Sequence, residues 1–134
     1  MGKILSEWLE LAKIDLTSAE VLMNSPKHVS SVSIYLSHQA VEKSLKYLLS
    51  QYQEPILKTH DLMKLLSQLI KHVEALNGFI YDIQELDQYY PKLRYPTGDK
   101  FTNEEAKHCF EIASKIFDLI FELNNQTQIS NIAI

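Results

Sequence analysis

Apolar side chains recur at steps of three and four residues along most of this chain, and this spacing constrains the fold more than any other feature. A β-sandwich or barrel needs a turn about every 8–12 residues. The sequence has only 3 Gly and 4 Pro, which is too few turn residues for such a many-stranded fold. Three- and four-residue spacing is the period of α-helices with a buried face. It is clearest in the first segment, residues 4–23, at Leu5, Trp8, Ala12, Leu16, Ala19 and Leu22.

The same spacing, interrupted by helix breakers, predicts five helices and no strands. Thr59 is expected to cap the third helix, and Thr102 with Glu105 forms a capping-box pattern at the start of the fifth. Two apolar stripes on the second helix favour a central position in a bundle. The only long loop is predicted at Pro91–Phe101. The expected helices are residues 4–23, residues 31–51, a helix after Thr59, residues 76–90, and a helix from Thr102 to about Asn124.

We therefore expect one all-α domain. Short connections favour antiparallel packing of neighbouring helices. The fold class predicted is an up-and-down helical bundle of about five helices, dominated by two long antiparallel helices. The bundle is expected to cover residues 1–124, and the polar residues 125–134 are expected to form a frayed C-terminal tail.

Charge and cysteine content exclude several classes of protein. The net charge of −4 argues against a protein that coats nucleic acid through its overall charge, although a local basic pocket stays open. A single cysteine, Cys109, excludes an intramolecular disulfide and a multi-cysteine metal site, and a lone thiol suits a reducing, cytoplasmic location. Apolar runs of three or four residues are too short to span a membrane. We expect no metal, no cofactor and no membrane partner.

The second helix carries an unusual polar series in its middle. His38, Glu42 and Lys46 are four residues apart, so they lie on one helix face. Two interpretations stay open. The three side chains form a solvated face with weak ion pairs, or, because a helix with two apolar stripes has little solvated surface, they form a polar patch in a crevice of the bundle.

The predicted loop holds the second unusual feature. The chain has 12 Lys but one Arg, Arg94, which is surrounded by Tyr90, Lys92 and Tyr95. A guanidinium group is a planar fork of donors that suits phosphate and carboxylate groups better than an ammonium group does. Tyrosine rings can stack on a base or hold the guanidinium in place. This pattern indicates a site for an anionic ligand.

Arg94 and His60 each have a purely structural interpretation as well. Arg94 can pair with Asp15 or Glu42 and thereby clamp the loop to the bundle. His60 follows the expected Thr59 cap, and its simplest role is to anchor that loop through hydrogen bonds.

Four motifs follow one another in a fixed order along the chain. They are Trp8, Ala12, Asp15-Leu16 and Ala19, then His38 to Lys46, then Thr59-His60-Asp61-Leu62, then Arg94-Tyr95-Pro96. In this order and spacing the sequence resembles the HEPN domain family (higher eukaryotes and prokaryotes nucleotide-binding). The resemblance covers nearly the whole chain from Trp8 onwards. It implies an all-α bundle, usually a homodimer.

The resemblance implies two kinds of function. Many stand-alone HEPN proteins are encoded beside a minimal nucleotidyltransferase and form two-component, often toxin–antitoxin-like, systems. Other members are metal-independent ribonucleases, whose motif is an Arg followed, after four to six residues, by a His. Here the corresponding positions after Arg94 are Asp99, Lys100 and Phe101, so the proton-transfer His of that motif is missing.

Three hypotheses follow. The leading one is a non-catalytic binding module for a nucleotide, an RNA phosphate or a nucleotidyltransferase, with Arg94 at its centre. The second is a metal-independent endoribonuclease in which His60 or His38 replaces the missing His. The third is a purely structural dimerisation domain. The candidate ligand-binding residues are Arg94, Tyr95, Lys92, Tyr90, His60, Glu42, Lys46, His38 and Asp15, and Arg94 and His60 are the catalytic pair if the chain is a ribonuclease.

Overall fold

A computed structural model describes residues 7–26, 29–94 and 100–133, with side chains as far as residue 126. Helices dominate this part of the chain, and no strand occurs in it. The all-α fold class is therefore confirmed. The elements in chain order are α1 (Glu7–Met23), α2 (Ser30–Gln51), α3 (Leu62–Leu69), a 3₁₀ helix (Glu74–Phe79), α4 (Ile80–Asp87), α5 (Tyr89–Arg94) and α6 (Asn103–Ala133).

The helices α1 and α2 form an antiparallel pair. Near one end, the Ser33 hydroxyl donates to the backbone carbonyl of Ala19 at 2.9 Å. Near the other end, the Lys46 ammonium lies 5.6 Å from the centre of the Trp8 ring. From the first contact to the second, the residue number rises along α2 and falls along α1. The two helices are therefore antiparallel, as expected for neighbours joined by a short connection.

The third long helix, α6, runs parallel to α2. Ser30 donates to the Asn103 side chain at 2.8 Å at the start of both helices. Tyr47 donates to the Asn124 side chain further along both. Beside the long antiparallel pair of α1 and α2, the described part of the chain thus contains a third long helix, and the shorter elements between α2 and α6 return the chain to the end of the bundle where α2 begins.

The central helix is α2, in agreement with its two apolar stripes. Most of its residues are buried, including polar ones. The apolar core around it is built from aliphatic side chains of all three long helices and of α3 and α4. Its largest fully buried side chains are Leu9, Ile34, Leu45, Leu49, Leu62, Leu65, Leu66, Leu69, Leu76, Ile83, Leu86 and Ile116.

The start of α3 differs from the prediction. Its N-cap is Asp61, whose carboxylate accepts from the backbone amides of Met63 at 3.0 Å and Lys64 at 3.2 Å. The hydroxyl of Thr59 instead accepts from the Asp61 amide at 3.0 Å. The negative charge of a carboxylate at this position also interacts favourably with the positive N-terminal end of the helix dipole. Asp61 therefore caps the helix, and Thr59 stabilises the turn before it.

The predicted fourth helix and the predicted loop are also corrected. Glu74–Phe79 is a 3₁₀ helix, and α4 begins only at Ile80. Residues 91–94, the first residues of the expected loop, belong to α5. Pro91 is compatible with this helix because it lies in the first turn, where backbone N–H groups have no intrahelical acceptor. Residues 95–99 of that loop lie outside the described part of the chain.

The capping box of α6 is confirmed. The Glu105 carboxylate accepts from the Thr102 amide at 2.9 Å, and the Thr102 hydroxyl accepts from the Glu105 amide at 3.1 Å. The helix continues to Ala133, past its predicted end near Asn124. The division into a bundle and a C-terminal tail stays a prediction. Of the helices described, none is both long and apolar enough to cross a membrane.

Candidate functional site

Two histidine–carboxylate pairs meet at the ring of Tyr90. The ring centre of His38 lies 4.8 Å from that of Tyr90. The ring of His60 lies 5.0 Å away and is nearly parallel to it, at 19°. The first histidine belongs to α2, the second to the turn before α3, and Tyr90 to α5. We call this group the Tyr90 cluster; its members are His38, Glu42, Lys46, His60, Asp87, Tyr90 and Arg94.

His38 forms the buried pair of the cluster. Its side chain is inaccessible to solvent, and its Nε2 lies 3.0 Å from Oδ1 of Asp87. An ionised carboxylate only accepts hydrogen bonds, so His38 donates through Nε2. Burial alone would raise the pKa of Asp87, but the hydrogen bonds from His38 and from the Leu62 amide, with the electrostatic attraction to His38, lower it below its usual value. Asp87 is therefore ionised near neutral pH.

Glu42 forms the second pair and has both of its oxygens engaged. Oε2 accepts from the Lys46 ammonium at 3.0 Å, and Oε1 lies 2.9 Å from Nδ1 of His60. Glu42 and Lys46 are almost completely buried, as is His38 one turn earlier. The interpretation of these three residues as a solvated face is therefore wrong, and the alternative of a polar patch in the bundle holds.

Arg94 lies at the exposed edge of the cluster. Its guanidinium donates to the Tyr90 hydroxyl at 2.8 Å and lies 5.7 Å from the ring centre. The two residues are one helical turn apart on α5, which places them on the same face. Neither predicted clamp partner binds Arg94, because Asp15 accepts from Lys43 at 2.5 Å and Glu42 is occupied as described above. The predicted clamp between Arg94 and Asp15 or Glu42 therefore does not form.

A cleft opens beside the cluster. Its volume is about 280 Å³, and we call it the His60 cleft. The His60 side chain is 51% exposed there, and its Nε2 has no partner among the described residues. The lining residues are Thr59, His60, Asp61, Asp87, Tyr90 and Pro91.

The comparisons with known proteins agree with this architecture. A family model of the HEPN domain matches residues 5–124. The chain belongs to the HEPN domain family. The crystal structure of TT1696 from Thermus thermophilus superposes on this HEPN chain with a TM-score of 0.76 and 25% sequence identity, covering 87% of this chain and 94% of that one. No curated protein matches the sequence.

Not every predicted site residue of this HEPN domain joins the Tyr90 cluster. Lys92 contributes to a separate cavity of about 250 Å³, which Tyr89 and Glu105 also line. Asp15 is held by Lys43 and does not line the His60 cleft. Tyr95 lies outside the described residues. Among the predicted residues, the structure thus brings together His38, Glu42, Lys46, His60, Tyr90 and Arg94.

Asp87 is the member of the Tyr90 cluster that the sequence pattern did not predict. It lies one turn after Ile83 and next to Leu86, on the apolar face of the predicted fourth helix. A carboxylate on a buried helix face needs a hydrogen-bonding partner, and that rule is the signal that points to it. Within the described part of this HEPN chain, no three His, Cys, Asp or Glu side chains are arranged to hold a metal ion.

Proposed function

We propose that this HEPN domain is a binding module that holds a phosphate group of a nucleotide or of RNA at the Tyr90 cluster. The observation that carries the proposal is the position of Arg94. Its side chain is exposed beside Tyr90, which lines the His60 cleft, and among the described residues it donates only to the Tyr90 hydroxyl. A guanidinium has five N–H donors, so several donors that the described residues do not use can meet an anionic ligand.

The surroundings of Arg94 favour a phosphate. Contact with Tyr90 orders the guanidinium before a ligand arrives, which reduces the entropy lost on binding. The two carboxylates of the Tyr90 cluster are already paired, Asp87 with His38 and Glu42 with Lys46 and His60. Their negative charge is therefore partly offset. A planar guanidinium then binds two phosphate oxygens in a geometry that lysine does not reproduce.

Calorimetric titration tests this function. Wild type, Arg94→Ala and Arg94→Lys are titrated with a nucleoside triphosphate and with a short single-stranded RNA. We expect Arg94→Ala to weaken binding about tenfold or more, since hydrogen bonds to charged groups contribute about 1.5–3 kcal/mol. Arg94→Lys keeps the charge and should recover only part of the loss.

The control is Lys115→Ala, which removes an exposed cation from the middle of α6 that does not line the His60 cleft. It should leave the affinity unchanged. No binding by wild type, or equal binding by wild type and Arg94→Ala, would overturn the proposal.

A second candidate function is a metal-independent endoribonuclease. The observation that favours it is that His60 and Arg94 contact the same tyrosine ring. In this reaction His60 would accept the proton of a ribose 2′-hydroxyl while the 2′-oxygen attacks the adjacent phosphorus and Arg94 stabilises the charge on the phosphate. The P–O5′ bond would break, which leaves a 2′,3′-cyclic phosphate on one fragment, and the departing 5′-oxygen would take a proton from solvent to become the 5′-hydroxyl of the other. It predicts cleavage of single-stranded RNA in EDTA that disappears in both His60→Ala and Arg94→Ala. Intact RNA after long incubation with pure protein would exclude it.

The partners implied by the family resemblance are part of the proposal. They are a second copy of the chain, a minimal nucleotidyltransferase, and a two-component, toxin–antitoxin-like system in the cytoplasm. Light scattering on the purified protein tests for the homodimer. Co-purification with a nucleotidyltransferase encoded beside the gene tests for the protein partner, and Arg94→Ala then shows whether that contact uses the same site.

A further inference from the structure

We infer that His60 accepts a hydrogen bond from a ribose 2′-hydroxyl, so that the His60 cleft selects ribonucleotides over deoxyribonucleotides. The inference rests on the proposed phosphate-binding function and names the ligand class of the same site. Glu42 is the positioning residue for His60. Three features support it: the ring nitrogen of His60 that carries the hydrogen, the contacts that hold the ring, and the other groups in the cleft.

Glu42 determines the tautomer of His60. The Glu42 carboxylate accepts from the buried Lys46 ammonium through one oxygen. Its other oxygen lies 2.9 Å from Nδ1 of His60. Because a carboxylate only accepts, Nδ1 must carry the hydrogen. In the neutral ring, Nε2 then presents a lone pair, which is an acceptor for a hydroxyl group.

The position of the His60 ring is fixed from several sides. It stacks nearly parallel on Tyr90, with 5.0 Å between ring centres. The residues on either side of it form one short turn, in which the Thr59 hydroxyl accepts from the Asp61 amide. Asp61 in turn caps α3. A ring that is held in this way recognises a ligand group without losing much conformational freedom on binding.

The rest of the His60 cleft suits a hydroxyl better than a phosphate. Thr59, Asp61 and Asp87 line it beside His60. Carboxylates repel a phosphate but accept hydrogen bonds from sugar hydroxyls. The phosphate belongs instead at Arg94, which contacts the same Tyr90 ring from the exposed edge. Sugar and phosphate are adjacent parts of one nucleotide, and His60 and Arg94 both contact the same Tyr90 ring.

Matched oligonucleotides test the inference. Single-stranded oligouridylate, its 2′-deoxy form and its 2′-O-methyl form have the same bases and length, and fluorescence anisotropy gives their affinities. We expect wild type to bind the ribose form about three- to tenfold more tightly than either analogue, as one hydrogen bond contributes. The 2′-O-methyl form keeps the oxygen but lacks the hydrogen, so it isolates the donor role of the hydroxyl.

Two variants assign the preference to His60. His60→Ala should weaken binding of the ribose form only and so remove the preference. The matched control is His108→Ala, because His108 is equally exposed, at 50%, and also lies 2.9 Å from a glutamate, Glu85. It should keep the preference.

A third variant tests the tautomer. In Glu42→Gln the amide NH₂ can donate to Nδ1 while the amide oxygen accepts from Lys46, which moves the ring hydrogen of His60 to Nε2. ¹⁵N NMR of the His60 ring should show hydrogen on Nδ1 in wild type and on Nε2 in this variant, with loss of the ribose preference.

The outcomes separate the two proposals. Equal binding of all three oligonucleotides by wild type, a preference that survives in His60→Ala, or wild-type NMR with hydrogen only on Nε2 would overturn the inference and leave phosphate binding standing. Failure of wild type to bind any of the three would overturn both.

Discussion

Asp87 accepts hydrogen bonds through one oxygen from two separate elements. Its Oδ1 lies 3.0 Å from Nε2 of the buried His38 and 3.1 Å from the backbone nitrogen of Leu62. The last residue of α4 thereby connects the middle of α2 with the first turn of α3. Asp87 also lines the His60 cleft, so the same carboxylate supports the fold and the candidate site.

We expect Asp87→Ala to destabilise the protein by about 1–3 kcal/mol. The substitution leaves a buried imidazole N–H and a helix amide without their acceptor, and an unsatisfied buried donor costs this much. The control is Asp118→Ala, which removes an exposed carboxylate from α6 and should change stability by less than about 0.5 kcal/mol. Urea unfolding followed by circular dichroism measures both. Equal midpoints for the two variants would contradict the structural role of Asp87.

The pH dependence of stability should also depend on Asp87. Its pKa in the folded protein lies below the ordinary value of 3.8, because the hydrogen bonds outweigh burial. On acidification the unfolded chain therefore binds the proton first. The contribution of Asp87 is complete well above that ordinary value and is lost as the pH falls through the folded pKa. Urea midpoints between about pH 2.5 and 6 should fall less steeply in Asp87→Ala than in wild type or Asp118→Ala, and parallel curves would refute this.

Cys109 should be unreactive in the native protein. Burial, together with the negative charges of Glu85 and Glu105, raises the pKa of its thiol to about 12. Only about one thiol in ten thousand is then ionised at pH 8, and the thiolate is the reactive species. A chromogenic disulfide reagent should therefore label the folded protein very slowly and the guanidinium-unfolded protein at once. The Cys109→Ser variant has no thiol, so it gives the background signal of the reagent. Fast labelling of the folded protein would show that the thiol is accessible.

Local patterns predicted the helices well, because they depend on neighbours in the chain. The Thr102–Glu105 capping box is an example, since all of its partners lie within one turn. The prediction that Thr59 caps α3 was wrong because the local sequence offers two candidates and does not decide between them. Thr59 and Asp61 are both good capping residues, and the choice between them depends on where the chain from α2 reaches α3.

The candidate site was only partly predictable, because its contacts join residues that are distant in the chain. Spacing placed His38, Glu42 and Lys46 on one face of α2 but did not show whether that face is buried. Their burial follows from the packing of α1, α3 and α6 around α2. The pairing of Glu42 with His60 depends on the path of the chain between α2 and α3, and no spacing rule supplies that path.

Removing one partner of the buried pair of Glu42 and Lys46 should lower the free energy of unfolding much more than replacing both partners with apolar side chains. Glu42→Leu alone leaves a buried ammonium without its partner, and Lys46→Met alone leaves the Glu42 carboxylate with only His60. Each single substitution should destabilise the protein by about 3–5 kcal/mol, whereas the double substitution should cost much less, since apolar side chains replace a buried ion pair well. Urea unfolding of the three variants measures these differences.

The control for this cycle is Glu85→Gln, which breaks the exposed pair with His108 and should cost at most about 1 kcal/mol. If the double variant lost as much free energy of unfolding as the two single variants lose together, the two side chains would contribute to stability independently, which would contradict this prediction. The double variant should also lose the ribose preference, because His60 no longer has the acceptor that holds its hydrogen on Nδ1.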